Sequence, residues 1–416
     1  MQTRLADFIK DSPQGKEADA ILRSCVHCGF CLATCPTYQL LGDELDSPRG
    51  RIYLMKQMLE GQPVSQKTQL HLDRCLTCRA CETTCPSGVR YAELVDISRD
   101  LLEKQIRRSA GKNILRYMLR KILPNPLLFK PLIKTGQMIR PLLPASLKRK
   151  VPITCESDKQ WPATRHKRKM MVLDGCVQPT LSPNINPATA RVLDALNISL
   201  IQSAQAGCCG ALAYHLNAQT DGMEAMRKNI DAWWPFITRN EIEAIVMTAS
   251  GCGVTVKEYG HILRHDPAFA DKAARISAIT KDISEILATE QAALEQLLSK
   301  RKSSAMATRL AFHSPCTLQH GQQVRDQAEQ ILRAAGFQLT YVPDNHLCCG
   351  SAGTYSILQP ELSQQLLHNK VTALESGQPE KIATGNIGCL LHLQSGTPLP
   401  VRHWIELLDE QLSGQS

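Results

Sequence analysis

With 416 residues, 43% of them apolar and 21% charged, the chain has the composition of a soluble globular protein and the length for two or three domains with real cores. No run approaches the length of a membrane-crossing helix and the N-terminal MQTRLADFIKDSPQGKEAD has no apolar centre, so neither a spanning helix nor a secretory signal is expected, and a reducing cytosol is the expected compartment. The net charge of +9 is uneven: residues 104–170 carry 18 Lys and Arg against only Glu156 and Asp158, and the remainder of the chain is net acidic.

Residues 17–24 predict a short helix that delivers Cys25. Next come two copies of one spacing, Cys25-x2-Cys28-x2-Cys31-x3-Cys35-Pro36 and Cys75-x2-Cys78-x2-Cys81-x3-Cys85-Pro86. This is the run that holds [4Fe–4S] clusters in two-cluster ferredoxins, where three cysteines of a tight loop bind one cube and the fourth serves the other. One cluster is therefore expected on Cys25, Cys28, Cys31 and Cys85, and a second on Cys75, Cys78, Cys81 and Cys35. Two zinc ions are the competing reading, but tandem zinc sites pair two C-x2-C units across a longer gap and do not stack three cysteines at steps of three. Between the runs, Ser47-Pro48 suits a helix start, and a further helix is expected at about 89–105. Arg49 and Arg51 stand where they could offset the negative charge of thiolate-bound cubes.

Residues 106–150 alternate basic and bulky apolar groups before Pro124, Pro126, Pro131, Pro141 and Pro144, which predicts a basic amphipathic helix and then short proline-broken pieces. Such a segment suits an anionic membrane surface or an acidic partner, with Arg116, Arg120 and Lys121 as the docking charges; a plain linker is the second reading. Aromatic residues are sparse there, which argues against nucleic acid. Residues 151–169, with Cys155, read as a polar linker.

From 170 the chain repeats itself. Cys176, Cys208-Cys209-Gly210 and Cys252 in one copy correspond to Cys316, Cys348-Cys349-Gly350 and Cys389 in the other. Strands are predicted at 169–174, 198–202, 244–248, 309–313, 338–342 and 381–384, alternating with helices at 187–197, 222–240, 255–265, 281–299, 324–336, 360–375 and 403–413. That alternation implies α/β layers with mainly parallel sheets, whose sites gather beyond the carboxyl ends of the strands. Cys176, Cys252, Cys316 and Cys389 fall on that rim, and both Cys-Cys-Gly segments are expected to open a helix whose amides favour thiolate. His313 and His346, lone histidines beside the second set, read as ordinary core or surface residues.

The two cysteine runs, SPRGRIYLMKQ (47–57), GCCGALAYH (207–215), SGCGVTVKEYG (250–260) and HLCCGSAGTYS (346–356) together resemble the iron–sulfur subunits of glycolate oxidase. Cousins are the corresponding subunits of anaerobic glycerol-3-phosphate dehydrogenase, lactate-utilisation complexes and heterodisulfide reductase. The resemblance implies a multidomain α/β chain: a helical two-cluster ferredoxin-type domain (1–105), a basic docking segment and linker (106–169), and two duplicated α/β cysteine-rich modules (170–300 and 301–416). It also implies an electron carrier beside FAD-bearing partner subunits that oxidise glycolate or D-lactate, with electrons passing toward a membrane quinone, and peripheral contact with the inner face of the cell membrane. No GxGxxG at a strand–helix junction marks a flavin or nicotinamide site on this chain. In the fullest cysteine-rich pattern each repeat ends in C-x2-C; here the first of that pair is Ala249 in one copy and Asn386 in the other. The four cysteines left in each repeat, Cys176, Cys208, Cys209 and Cys252, and Cys316, Cys348, Cys349 and Cys389, could hold a further metal, form a redox pair, or be buried structural thiols. Redox chemistry at these repeats is the alternative function; a zinc-dependent scaffold is a third.

Overall fold

The computed structural model describes residues 1–142, 144, 160–300 and 307–414. Local chemistry starts the first helices. Ser12 and Ser47 each accept a hydrogen bond at 3.0 Å, from the amides of Gly15 and Gly50, and a proline opens the helix behind each cap. The helices Pro13–Ser24, Pro48–Leu59 and Tyr91–Gln105 then bury Ile21, Leu22, Met55, Met58, Leu94 and Leu102 in one core. The two cysteine runs lie at the edge of that core, with Cys25 inside it and Cys75, Cys81 and Cys85 packed against it.

The basic segment departs from expectation. Ala110–Ile122 is the amphipathic helix foreseen, but the prolines do not break the chain beyond it into pieces: Pro126–Ile139 is one helix containing Pro131. Pro126 occupies the first turn, where its missing N–H has no helical partner to lose, and Asn125 caps the end by accepting from Leu127 N at 3.0 Å. Phe129 is buried, and Ile122, Leu123 and Ile133 pack with it against the core of the α/β region. That docking outweighs the hydrogen bond lost at Pro131. Leu127, Leu128, Leu132, Met138 and Leu142 are left exposed. No helix among the described residues is long and apolar enough to cross a membrane. Cys155 and most of the expected linker lie outside the described residues. From 160 the chain lies along a strand edge, with Trp161 Nε1 donating to Leu200 O at 3.0 Å.

The rest is a duplicated α/β unit. Strands β1 (Arg168–Val172), β2 (Ile198–Gln202), β3 (Ile245–Met247) and β4 (Thr280–Asp282) form a parallel sheet in the order β2-β1-β3-β4. Strands β5 (Arg309–His313), β6 (Gln338–Leu339), β7 (Lys381–Thr384) and β8 (Val401–His403) repeat it as β6-β5-β7-β8. Alternation along the strands divides the cores. Met170 and Val172 of β1, with Leu310 and Phe312 of β5, face a core common to both sheets. Met171 and Leu173 face a separate outer core with Cys209, and Ala311 faces another with Cys349 and Cys389.

The parts are tied together by polar contacts as well as by that shared core. Arg191 pairs with Asp409 at 2.7 Å and Asn184 donates to Glu406 at 2.9 Å, joining the helices Ile185–Ala195 and Trp404–Ser413. The helical domain docks through ion pairs from Arg79 to Glu258 and from Arg264 to Glu17, and through a Thr83–His320 hydrogen bond of 2.9 Å.

Candidate functional site

Each cysteine run is shaped by the same pair of left-handed residues. His27 and Gly29 in the first loop, and Thr77 and Arg79 at the matching places in the second, have φ between +53° and +88°. Two such residues between three cysteines curl the backbone so that the thiols converge, and the strain at the non-glycine positions is of order 1 kcal/mol each. Arg79 is held in that conformation by its ion pair to Glu258, and Thr77 Oγ1 accepts from Arg99 at 3.0 Å.

The sulfurs meet in two recesses. One, with about 420 Å³ of empty space, is lined by Cys25, Cys28, Cys31, Cys81 and Cys85; the other, about 330 Å³, by Cys35, Cys75, Cys78 and Cys81. Each therefore joins cysteines of one loop to the last cysteine of the other. Pro48, Cys81 and Tyr91 belong to both walls, so the recesses are immediate neighbours. Among the described residues no carboxylate lines either of them, whereas Arg49 lines the first and Arg51 the second.

Burial pushes the Cys31 thiol up to about 11, and Cys78 and Cys81 well above the usual thiol range. Neighbouring sulfurs add to the effect: Cys316 and then Cys35 act on Cys78, and Cys85 acts on Cys25. Thiols in such places become thiolates only around a positive centre, so the donor set fits iron–sulfur clusters. Arg51 is fully buried and paired. Its guanidinium donates to His71 O at 2.7 Å, to Thr37 Oγ1 and Asp46 Oδ1 at 3.1 Å, and stands 3.9 Å from Cys35 Sγ. Arg49 is held instead by Glu44, at 2.5 Å.

The cysteines of the α/β modules all lie at the carboxyl ends of their parallel strands. In the first module Cys176, Cys208 and Cys252 are half-buried and Cys209 is buried. Hydrogen bonds from the Cys176 and Cys209 thiols hold Cys208 well below the usual thiol value, and push their own values up. The cause differs from the one expected: neighbouring thiols lead and the Gly210 amide adds the smallest contribution, although the helix Ala211–His215 opens directly behind Gly210. The second module differs. Cys316, Cys348, Cys349 and Cys389 are all buried and the next helix waits until Tyr355. Cys316 is pushed well up by its contact with Cys348 and by burial. Cys348 and Cys349 go up too, because the lowering contacts from Cys316 and Cys348 are outweighed by their contacts with Cys349 and Cys389 and by burial. The glycine after each pair is demanded by space. Gly210 and Gly350 both have φ +89°, and a Cβ would lie 2.6 Å from Gly222 O or 2.7 Å from Ser363 O.

Two features went unseen in the sequence. The loop of Cys78 packs against the second module, where Leu76, Cys316, Cys348 and Tyr355 form one buried cluster with Cys78 at its edge. His313, set aside as an ordinary histidine, is fully buried beside Cys349 and Cys389. The alternation along β5 was the signal that pointed it inward.

Comparison with known proteins agrees with this geometry. Residues 21–89 match the 4Fe-4S dicluster domain family, and residues 170–257 and 310–394 both match the cysteine-rich (CCG) domain family. The glycolate oxidase iron-sulfur subunit of Escherichia coli (strain K12) is 55% identical over 412 residues, 99% of each chain. The probable glycolate oxidase iron-sulfur subunit of Bacillus subtilis (strain 168) is 29% identical, covering 90% of this chain and 89% of its own. Lactate utilization protein A of Bacillus licheniformis is 25% identical over 58% of this chain and its own full length. With two clustered thiol recesses, a duplicated cysteine-rich module and near-complete coverage by a relative of this identity, the chain belongs to the family of glycolate oxidase iron–sulfur subunits.

Proposed function

We propose that this chain is the electron-carrying subunit of a glycolate-oxidising complex, with one [4Fe–4S] cluster on Cys25, Cys28, Cys31 and Cys85 and a second on Cys75, Cys78, Cys81 and Cys35. The observation that carries the reading is the crossed meeting of cysteines in two adjoining recesses. Clusters in those places supply one-electron carriage. The protein residues fix their separation through the shared wall, exclude carboxylates from both recesses, and set a buried cation beside the second. Oxidation of the 2-hydroxy acid, glycolate or D-lactate, belongs to FAD-bearing partner subunits, and the electrons leave toward a quinone.

On the same reading the complex sits on the inner face of the cell membrane, docked through residues 110–142. Supporting it is an apolar face with Leu127, Met138 and Leu142 at least 80% exposed beside the exposed Lys112, Lys130 and Lys134. The docking charges differ from those expected. Arg116 is half-buried, with burial and the nearby Arg108 pulling it down to about 10, Arg120 is half-buried, and Lys121 pairs with Asp221 at 3.0 Å.

The test of the crossed ligation is spectroscopic. The full chain purified without oxygen should hold about eight iron and eight sulfide, and Cys85→Ser and Cys35→Ser should each alter the paramagnetic resonance of a different cluster. If both substitutions disturb the same signal, or if each disturbs the cluster of its own loop, the assignment is wrong.

A further inference from the structure

The second cysteine-rich module holds a donor that the first lacks. His313 closes β5 on the side of the sheet that also carries Cys349 and Cys389. It is 0% exposed, and neither ring nitrogen has a hydrogen-bond partner. An orphaned buried polar atom costs about 1–3 kcal/mol, and native proteins leave few of them. One ring nitrogen and the sulfurs of Cys349 and Cys389 all lie within 4.8 Å of one another. Three donors so closely grouped suit a single ion. A tetrahedral zinc with bonds of about 2.0–2.3 Å sets its ligand atoms about 3.5–3.8 Å apart. The outer thiolates of a [4Fe–4S] cube stand roughly 6 Å apart, too wide for this group.

We propose that His313, Cys349 and Cys389 hold a mononuclear Zn²⁺ ion in the second module. Cys348 stands outside this close group: it touches Cys349, and its sulfur lies 3.8 Å from Cys316. The surroundings suit bound thiolates. Asn386 Nδ2 donates to Cys389 Sγ at 3.4 Å, the Gly350 amide donates to Cys348 Sγ at 3.4 Å, and the buried Lys370 acts on both Cys348 and Cys349. Two thiolates, a neutral imidazole and one divalent ion leave no net charge to be buried. Thr384, level with His313 in the β5–β7 register, carries a buried hydroxyl that also lacks a partner; it can take up the second ring nitrogen once the first is bound. In the first module the corresponding place, three residues before Cys176, is Leu173, and no group of three donors there meets the same spacing among the described residues. The duplication has thus left one ion site, one contact away from Cys78 of the second recess.

The test is metal analysis of the full chain, clusters included, purified without oxygen and passed through a chelating column. The wild type should retain about one zinc per chain. His313→Leu, which installs the first module's residue, and Cys389→Ser should each lower zinc at least tenfold while iron, sulfide and the cluster resonances stay unchanged. Cys176→Ser should leave zinc as it is. Cobalt loading gives a second readout: a thiolate-to-metal charge-transfer band in the wild type that fades in Cys389→Ser and survives in His313→Cys. Zinc lost from the wild type on the chelating column, zinc retained in both ligand variants, or iron lost together with it would overturn the proposal. A chain with both clusters and no zinc would sink the zinc site alone and leave the electron-carrier reading standing.

Discussion

Replacing Arg51 by methionine should lower the reduction potential of the cluster assigned to Cys35, Cys75, Cys78 and Cys81. The guanidinium is 1% exposed and 3.9 Å from Cys35 Sγ, too deep for bulk solvent to screen it. An electron added to a cluster spreads over the cube, so the working distance is about 7 Å, and at an effective dielectric constant of about 20 the attraction is about 2.4 kcal/mol. For a one-electron couple, in which 59 mV is a factor of ten, this is about 100 mV. Removing the cation also leaves Asp46, 0% exposed, leaning on Arg74 at 2.8 Å alone among its arginines, and breaking a buried pair in this way costs about 3–5 kcal/mol of stability. Two further variants separate charge from folding. Arg51→Lys keeps the positive charge and should hold the potential within about 30 mV; Arg51→Met with Asp46→Asn removes both charges and should lower it by roughly half as much as the single change. The assay is a redox titration read by paramagnetic resonance on protein with full iron content. A potential unmoved by more than about 20 mV in Arg51→Met would refute the reasoning, because among the described residues nothing else cationic lines that recess except Arg79.

Three other outcomes rest on named contacts. Gly350→Ala should cost about 2–4 kcal/mol in anaerobic denaturant unfolding, from the left-handed backbone and the close approach to Ser363 O; a change under about 1 kcal/mol would mean the loop relaxes freely. His403, buried with Nε2 against Thr248 O at 2.8 Å, is pulled by burial down to about 4. The unfolded chain then binds the extra proton below about pH 6.5, so this residue withdraws roughly 2 kcal/mol of stability between pH 7 and pH 5. His403→Gln should lose that slope relative to the wild type, a difference in which other titrating groups, such as Asp282 with its opposite sign, cancel. Finally, Lys112→Gln, Lys130→Gln and Lys134→Gln together should weaken binding to vesicles of anionic phospholipid roughly a hundredfold at low salt, about 1 kcal/mol per charge, and binding to those anionic vesicles that is unchanged by the substitutions would remove the membrane reading.

The strands with alternating or β-branched runs were legible at once: β2, β5 and β7 fall on the residues anticipated. The edge strands β4 and β8 were not, because each is three residues long and has an exposed or half-exposed basic residue, Lys281 or Arg402, at its centre. Residues 281–282 of β4 were read as the start of a helix at 281–299 because Asp282 is the cap of the next one, in a capping box with Glu285. The helix Ser250–Lys257 starts five residues before its expected place. Gly251 and Gly253 speak against helix locally, but Gln322 of the other module sits where a Cβ on Gly253 would go, and donates to Ser250 O at 3.0 Å. The meeting of the two cysteine runs in neighbouring recesses was readable because their spacing is itself the loop geometry. His313 was read as an ordinary core or surface residue, and the structure buries it; what the sequence did not show is its closeness to Cys349 and Cys389, which needs the strand and both later loops in place.

The positions where the fuller cysteine pattern is broken explain why the two modules have drifted apart. Ala249 is buried in the core the modules share, and Asn386 lies at their seam. The Asn386 side chain accepts from Gly251 N of the first module at 3.4 Å and donates to Cys389 Sγ of its own. With those two thiols gone, each module keeps four, and what distinguishes them is the company around them. The first set is half-open, carries one favoured thiolate at Cys208, and joins the helical domain through charged side chains such as Glu258 and Arg264. The second is sealed, gains His313, and packs Cys316 and Cys348 onto Cys78. Duplication supplied two similar rims; burial against the cluster-bearing loop is what made one of them a different chemical environment.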